Sequence, residues 1–117
     1  MEENHIFCIQ AFGIGVIVCL GHSNASHKQV LEALDAGATG FTHLFNAMSA
    51  LTLREPGMVG SAFLDTSNFA GIILDGIHVH PAVAKLAYKI HPGLMLVTDA
   101  MATVGGSEKV LNSLVSE

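Results

Sequence analysis

One unit recurs four times along this chain: an apolar run, an ionisable residue at its end, a loop, and a stretch with helical apolar spacing. Val16–Leu20 is continuous and rich in β-branched residues, as a strand buried on both faces requires. Ser23, Asn24 and Ser26 then offer helix caps before residues 28–34, whose apolar stripe is Val30, Leu31 and Leu34, with Gly37 as the stop. A shorter strand is expected at 40–42, followed by a long connection from Asn46 to about Asp65, broken by Pro56, Gly57 and Gly60. The third strand is expected at 71–74, with Pro81 opening a helix that carries Val83, Leu86, Ala87 and Tyr88. After a turn at His91-Pro92-Gly93 comes a fourth strand at 94–97, and Ser107 caps a last helix bearing Val110, Leu111, Leu114 and Val115. Strands alternating with helices in this rhythm require a parallel α/β sheet. Four such units make half of a (β/α)8 barrel, which in full needs about 250 residues. An open flavodoxin-like sheet accepts the same rhythm.

The composition agrees with a core-rich domain. Half of the 117 residues are apolar and 13% are charged, against about 25% in an average soluble domain. A net charge of −5 argues against a phosphate-backbone surface, so no nucleic-acid partner is expected. The apolar stretch from Ile6 to Gly21 is too short and too glycine-rich for a membrane span, and the acidic start Met1-Glu2-Glu3 does not suit a secretory leader. Cys8 and Cys19 both lie in apolar sequence and are expected as small buried hydrophobes in a reducing, cytoplasmic setting.

The four strands deliver His22, His43, His78 and Asp99 to the end of the sheet where α/β proteins bind and react. Three imidazoles and a carboxylate at successive strand ends suit a divalent metal and its chemistry on water. His27, His80 and His91 are expected to be solvated or structural, and His5 has no assigned role. Arg54, the sole arginine, either pairs with an acid such as Glu55 or clamps an anionic substrate through its bidentate fork. Neither Gly13-x-Gly15 nor Gly105-Gly106 completes a nucleotide fingerprint.

Five segments follow in order: Gly21-His22-Ser23-Asn24-Ala25, Thr42-His43-Leu44-Phe45-Asn46-Ala47-Met48, Arg54-Glu55-Pro56-Gly57, Asp75-Gly76-Ile77-His78 and Val97-Thr98-Asp99-Ala100. Together they resemble the N-acetylglucosamine-6-phosphate deacetylase family of the amidohydrolase superfamily, over about residues 16–106. The resemblance implies a metal-dependent (β/α)8 barrel of which this chain, as a single partial domain over 1–117, supplies the second half, strands five to eight. It implies hydrolysis of the acetamide of N-acetylglucosamine 6-phosphate, an amino-sugar phosphate, in a cytoplasmic enzyme that pairs as a dimer. His22 and His43 match the metal-ligating histidines, the ion being zinc or iron. Asp99 matches the acid/base that takes a proton from the attacking water and returns one to the departing amine. Asn46, Ala47 and Arg54 match contacts to the sugar phosphate, and Asp75, Gly76, Ile77 and His78 a further binding segment. Within that segment His78 is placed to polarise the acetamide carbonyl. The family's third ligand is a glutamate from an earlier strand, which no residue before Val16 matches, and Lys109–Glu117 does not resemble the family's continuation. Two alternatives stand beside this: an amidohydrolase acting on a cyclic amide, and a non-catalytic half-barrel.

Overall fold

The computed structural model describes residues 13–100. Four strands, β1 (Cys19–Leu20), β2 (Gly40–Phe41), β3 (Phe69–Ile72) and β4 (Leu94–Leu96), alternate with three helices, α1 (His27–Asp35), α2 (Gly57–Leu64) and α3 (Pro81–Ile90). Every strand pair is parallel and the order in the sheet is the order in the chain, β1-β2-β3-β4. The expected parallel α/β sheet is therefore present, and all four strand C-terminal ends lie along one edge.

The register aligns Leu20, Phe41, Ala70 and Leu94 in one row across the sheet. Paired residues in a parallel sheet point the same way, so this row faces the helices. Phe41, Ala70 and Ile72 are fully buried there, with Val30 of α1, Met58 and Ala62 of α2 and Ala87 of α3. Removing such a side chain costs both transfer energy and a cavity; Phe41→Ala falls in the range of about 3–5 kcal/mol. The opposite row contains Cys19, Gly40 and Phe69, and this side of the sheet is only partly covered. Ile17 is 69% exposed and Met95 45%.

That alternation corrects the expectation for Cys19, which is exposed, because it stands on the side away from the helices. Cys8 and the helix expected at 107–115 lie outside the described residues.

Helix α1 begins where its capping box dictates. Ser26 Oγ accepts from Gln29 N, and Gln29 Oε1 accepts from Ser26 N. Its buried residues are Val30 and Ala33, while Leu31, expected in the stripe, is exposed. In α3, Pro81 occupies the first turn and the His80 imidazole Nδ1 accepts from Ala82 N. Ala87 is its buried residue, and Leu86 and Tyr88 face outward.

The largest correction concerns the connection after β2, which contains a helix rather than running as a loop to Asp65. Six of the eight residues of α2, Gly57 to Ala62, are buried. A helix covered on nearly all sides has no polar face and so no amphipathic period to detect. Two of its residues are glycines, which argues locally against helix. The strands are also shorter than expected: β1 and β2 keep two residues each, β3 starts and ends two residues earlier, and β4 omits Val97.

Candidate active site at the strand C-terminal edge

His22 and His43 follow β1 and β2, neighbouring parallel strands, and their side chains meet. The two Nε2 atoms are 2.7 Å apart, with the rings edge to face at 77°. His43 is 5% exposed, and its Nδ1–H donates to the Asn46 carbonyl at 3.1 Å. That bond assigns the tautomer of the neutral ring: with the proton on Nδ1, the His43 Nε2 lone pair is free. His22 Nε2–H then donates into it.

Two imidazole nitrogens brought together, the buried one oriented by a backbone carbonyl, are donors of the kind a divalent ion takes, though short of a full set. The pair fits a metal as two of its ligands. Among the described residues no group of three or more histidine, cysteine, aspartate or glutamate side chains converges on one point.

Beside the pair lies an open cleft of about 330 Å³ lined by His22, Ser23, Asn24, Ala47 and Met48. Its walls are tied together by backbone bonds: Ser23 N donates to Ala47 O and Ser49 N to Ser23 O, both at 3.0 Å. Ser49 extends the tie, its hydroxyl donating to Ala25 O and accepting from Met58 N. The side chain of Asn46 is turned back to the Leu44 carbonyl.

Asp75 organises the loop after β3. Its Oδ1 accepts from Ile77 N at 2.8 Å and His78 N at 2.9 Å, and its Oδ2 accepts from His78 Nδ1 at 2.6 Å. The backbone bonds from His78 and Ile77, then the imidazole, hold this carboxyl down at about 2. The His78 ring is thereby oriented through Nδ1, leaving Nε2 outward. Gly76 and Ile77 are exposed on this loop.

Arg54 lies on an exposed turn, and of its two alternatives the ion pair with Glu55 does not form. Glu55 Oε2 instead accepts from His27 N at 2.9 Å and Gly57 N at 3.0 Å, the first amides of α1 and α2. Those two bonds, Gly57 first, lower the Glu55 pKa. Asp99 is exposed beyond β4. Hydrogen bonds join His22 to His43 and Asp75 to His78, whereas among the described residues neither Arg54 nor Asp99 makes a side-chain hydrogen bond or ion pair with either pair.

His22, Phe45, Ala47 and Asp99 are the four non-glycine residues with positive φ in the described chain, at 49°, 78°, 51° and 49°. Three of them are residues singled out above from sequence. Left-handed backbone is costly for L-residues and concentrates where a loop is held for function. His27, His80 and His91 make structural hydrogen bonds, and His5 lies outside the described residues. His27 Nδ1–H donates to Ser61 Oγ; His91, buried, accepts from Gly93 N through Nδ1 and donates from Nε2 to Asp65 O. Ser49 and Glu55 were not identified from sequence as organising residues. The one local signal for Glu55 is a carboxylate directly before Pro-Gly, at the head of a helix.

No family model matches this sequence. Individual proteins do. The chain is 57% identical over 96 residues to an N-acetylgalactosamine-6-phosphate deacetylase from Shewanella sp. (strain ANA-3), covering 80% of this chain and 24% of that protein. It is 46% identical over 97 residues to the N-acetylglucosamine-6-phosphate deacetylase of Danio rerio, covering 78% of this chain and 24% of the relative. The crystal structure of N-acetylglucosamine-6-phosphate deacetylase from Pasteurella multocida superposes with a TM-score of 0.82 at 38% identity, over 88% of this chain and 27% of that one. A Mycobacterium smegmatis deacetylase mutant in complex with N-acetyl-D-glucosamine-6-phosphate gives 0.81 at 39%, over 88% and 28%. The chain thus spans about a quarter of the length of the curated relatives it matches. The likeness to N-acetylglucosamine-6-phosphate deacetylases implied by the five segments is borne out over most of this chain.

Proposed function

We propose that this chain supplies part of the active edge of a metal-dependent deacetylase acting on an N-acetylhexosamine 6-phosphate. The observation that carries this is the convergence of His22 Nε2 and His43 Nε2, with the second imidazole oriented by the Asn46 carbonyl. Likeness to deacetylases in both sequence and fold supports it.

On this reading His22 and His43 hold a divalent ion, zinc or iron. Such an ion supplies Lewis-acid polarisation of the amide carbonyl and makes water acidic near neutral pH. Asp99 accepts the proton of the attacking water and delivers one to the departing amine. His78, oriented through Nδ1 by Asp75, presents Nε2–H to the carbonyl oxygen when its ring is protonated. Asn46, Ala47 and the segment from Asp75 through Gly76 and Ile77 contact the sugar, and Arg54 engages the phosphate. The products are the amino-sugar phosphate and acetate.

The strands described here are then the fifth to eighth of a barrel, with a family-like core over about residues 16–106. The protein is cytoplasmic and pairs with a second copy. Among the described residues no helix is long and apolar enough to cross a membrane.

A second reading of the substrate has its own support: the 57% identity is to a galactosamine-type enzyme, against 46% to the glucosamine-type protein. The two sugars differ at one hydroxyl remote from the amide, so the chemistry above is common to both. Co-expression of this chain with the remainder of the Shewanella relative tests function and substrate together. Acetate release from one or both 6-phosphates is expected from the reconstituted pair and not from either part alone. A folded, metal-loaded pair inactive on both sugars refutes the proposal.

A further inference from the structure

Glu55 stands next to the sole arginine of the chain, yet its carboxylate is directed elsewhere. One oxygen joins the first amide of α1 to the first amide of α2. The backbone of the same residue closes the turn that holds Arg54. Thr52 N and Thr52 Oγ1 both donate to Glu55 O at 2.9 Å, and Glu55 N donates to Thr52 Oγ1 at 3.2 Å. Arg54 therefore sits inside a closed turn whose last residue is fastened to the start of α1. The segment leading into α1 carries His22, Ser23 and Asn24, which line the cleft.

Two consequences follow for the guanidinium. The turn has a fixed origin relative to the starts of α1 and α2, so Arg54 departs from a defined place. The nearest carboxylate in sequence is also engaged by amides, which leaves the guanidinium unneutralised by it. A carboxylate free to swing would instead compete with any anionic ligand for the same five donors.

We propose that Glu55 is a positioning residue for Arg54, fixing its turn to the α1 and α2 N-termini and keeping the adjacent carboxylate off the guanidinium, so that Arg54 is available to a phosphate monoester. This rests on the reading of Arg54 as the phosphate contact, and the experiment separates the two. The lowered Glu55 pKa is consistent with an ionised bridge throughout the physiological range.

Because Arg54 is the sole arginine, its side-chain Nε–H gives a single NMR resonance in the full chain. Inorganic phosphate is titrated at neutral pH against chloride of matched ionic strength, with amide signals of Val30 and Ile72 reporting an intact core. Wild-type Arg54 is expected to shift saturably. In Glu55→Ala the midpoint is expected to rise about tenfold, the scale of losing hydrogen bonds to a charged acceptor. Glu55→Gln, which keeps an accepting oxygen without the charge, is expected to fall between them. If the alanine variant does not fold, the glutamine titration decides by itself. A wild-type midpoint in a folded Glu55→Ala, or in Glu55→Gln when the alanine protein is unfolded, overturns the role of Glu55 while leaving Arg54 as an anion contact. A wild-type Arg54 signal that does not respond to phosphate refutes the phosphate reading itself, and the positioning role with it.

Discussion

Gly57 is the position where a single methyl group should disturb the site's scaffold most. It sits at the head of α2 with φ +62°, and its amide is one of the two held by Glu55. A Cβ there would meet Ala50 O at 2.5 Å and Ser49 O at 2.8 Å. The left-handed conformation alone costs an L-residue about 1–2 kcal/mol. Relieving two backbone contacts adds about 1–3 kcal/mol, the usual penalty of overpacking. The backbone cannot simply retreat, because Ser49 is bonded to Ser23, Ala25, Met58 and Val59. Gly57→Ala should therefore destabilise the chain by about 2–5 kcal/mol, or about 8–20 °C in Tm for a domain of this size. Gly76 provides the control, since its φ is +78° but nothing lies within 4 Å of its Cβ position. Gly76→Ala should cost only the conformational part, about 1–2 kcal/mol. Thermal unfolding of both variants by circular dichroism gives the comparison. Equal Tm values for the two would refute the claim that contact with the Ser49–Ala50 backbone makes Gly57 obligatory.

Three further outcomes are expected. Divalent metal content per chain should fall in both His22→Ala and His43→Ala, measured by elemental analysis after equilibration with zinc; retention in both would show a purely structural pair. The Asp75 carboxyl is held lower in the folded chain than in the unfolded one, so the order it gives the His78 loop is complete above about pH 4 and lost as pH falls through about 2. Amide signals of Ile77 and His78, followed by NMR, should move together in that window, and Asp75→Asn should abolish the transition. In the reconstituted deacetylase Asp99→Asn should lower kcat by about 10²–10⁴-fold with KM little changed, by steady-state acetate release.

What was legible in the sequence was the repeat and its punctuation. The third and fourth strands announced themselves by apolar runs, α1 by its cap candidate Ser26, and α3 by Pro81. His22 and His43 meet at the edge where parallel strands deliver them, but the same strand-end reading grouped His78 and Asp99 with them, and neither is hydrogen-bonded to that pair. Helix α2 was not legible, since burial on nearly every side removes the polar face that sequence reading depends on. For Arg54 the sequence left an ion pair and an anion clamp open, and the pair with Glu55 does not form because two unsatisfied helix-start amides are a stronger claim on a carboxylate than an exposed guanidinium. Cys19 departs from expectation for a different reason: its neighbours Val18 and Leu20 pack in the core while its thiol stands on the other side of the strand. No residue-level pattern distinguishes the two sides before the register is known.

The identity of sheet order and chain order bears on how the fold is made. Each strand docks on the one before it, and no strand among those described waits for a later one to separate it from its neighbour. The sheet can grow vectorially, in the direction of synthesis, with each helix sealing the apolar row of the unit just completed. Ile72, in the third strand, is wholly sealed at 0% exposure, whereas its partner Leu96 in the fourth is 71% exposed. Among the described residues the helix side of the fourth strand is thus left open where that of the third is sealed.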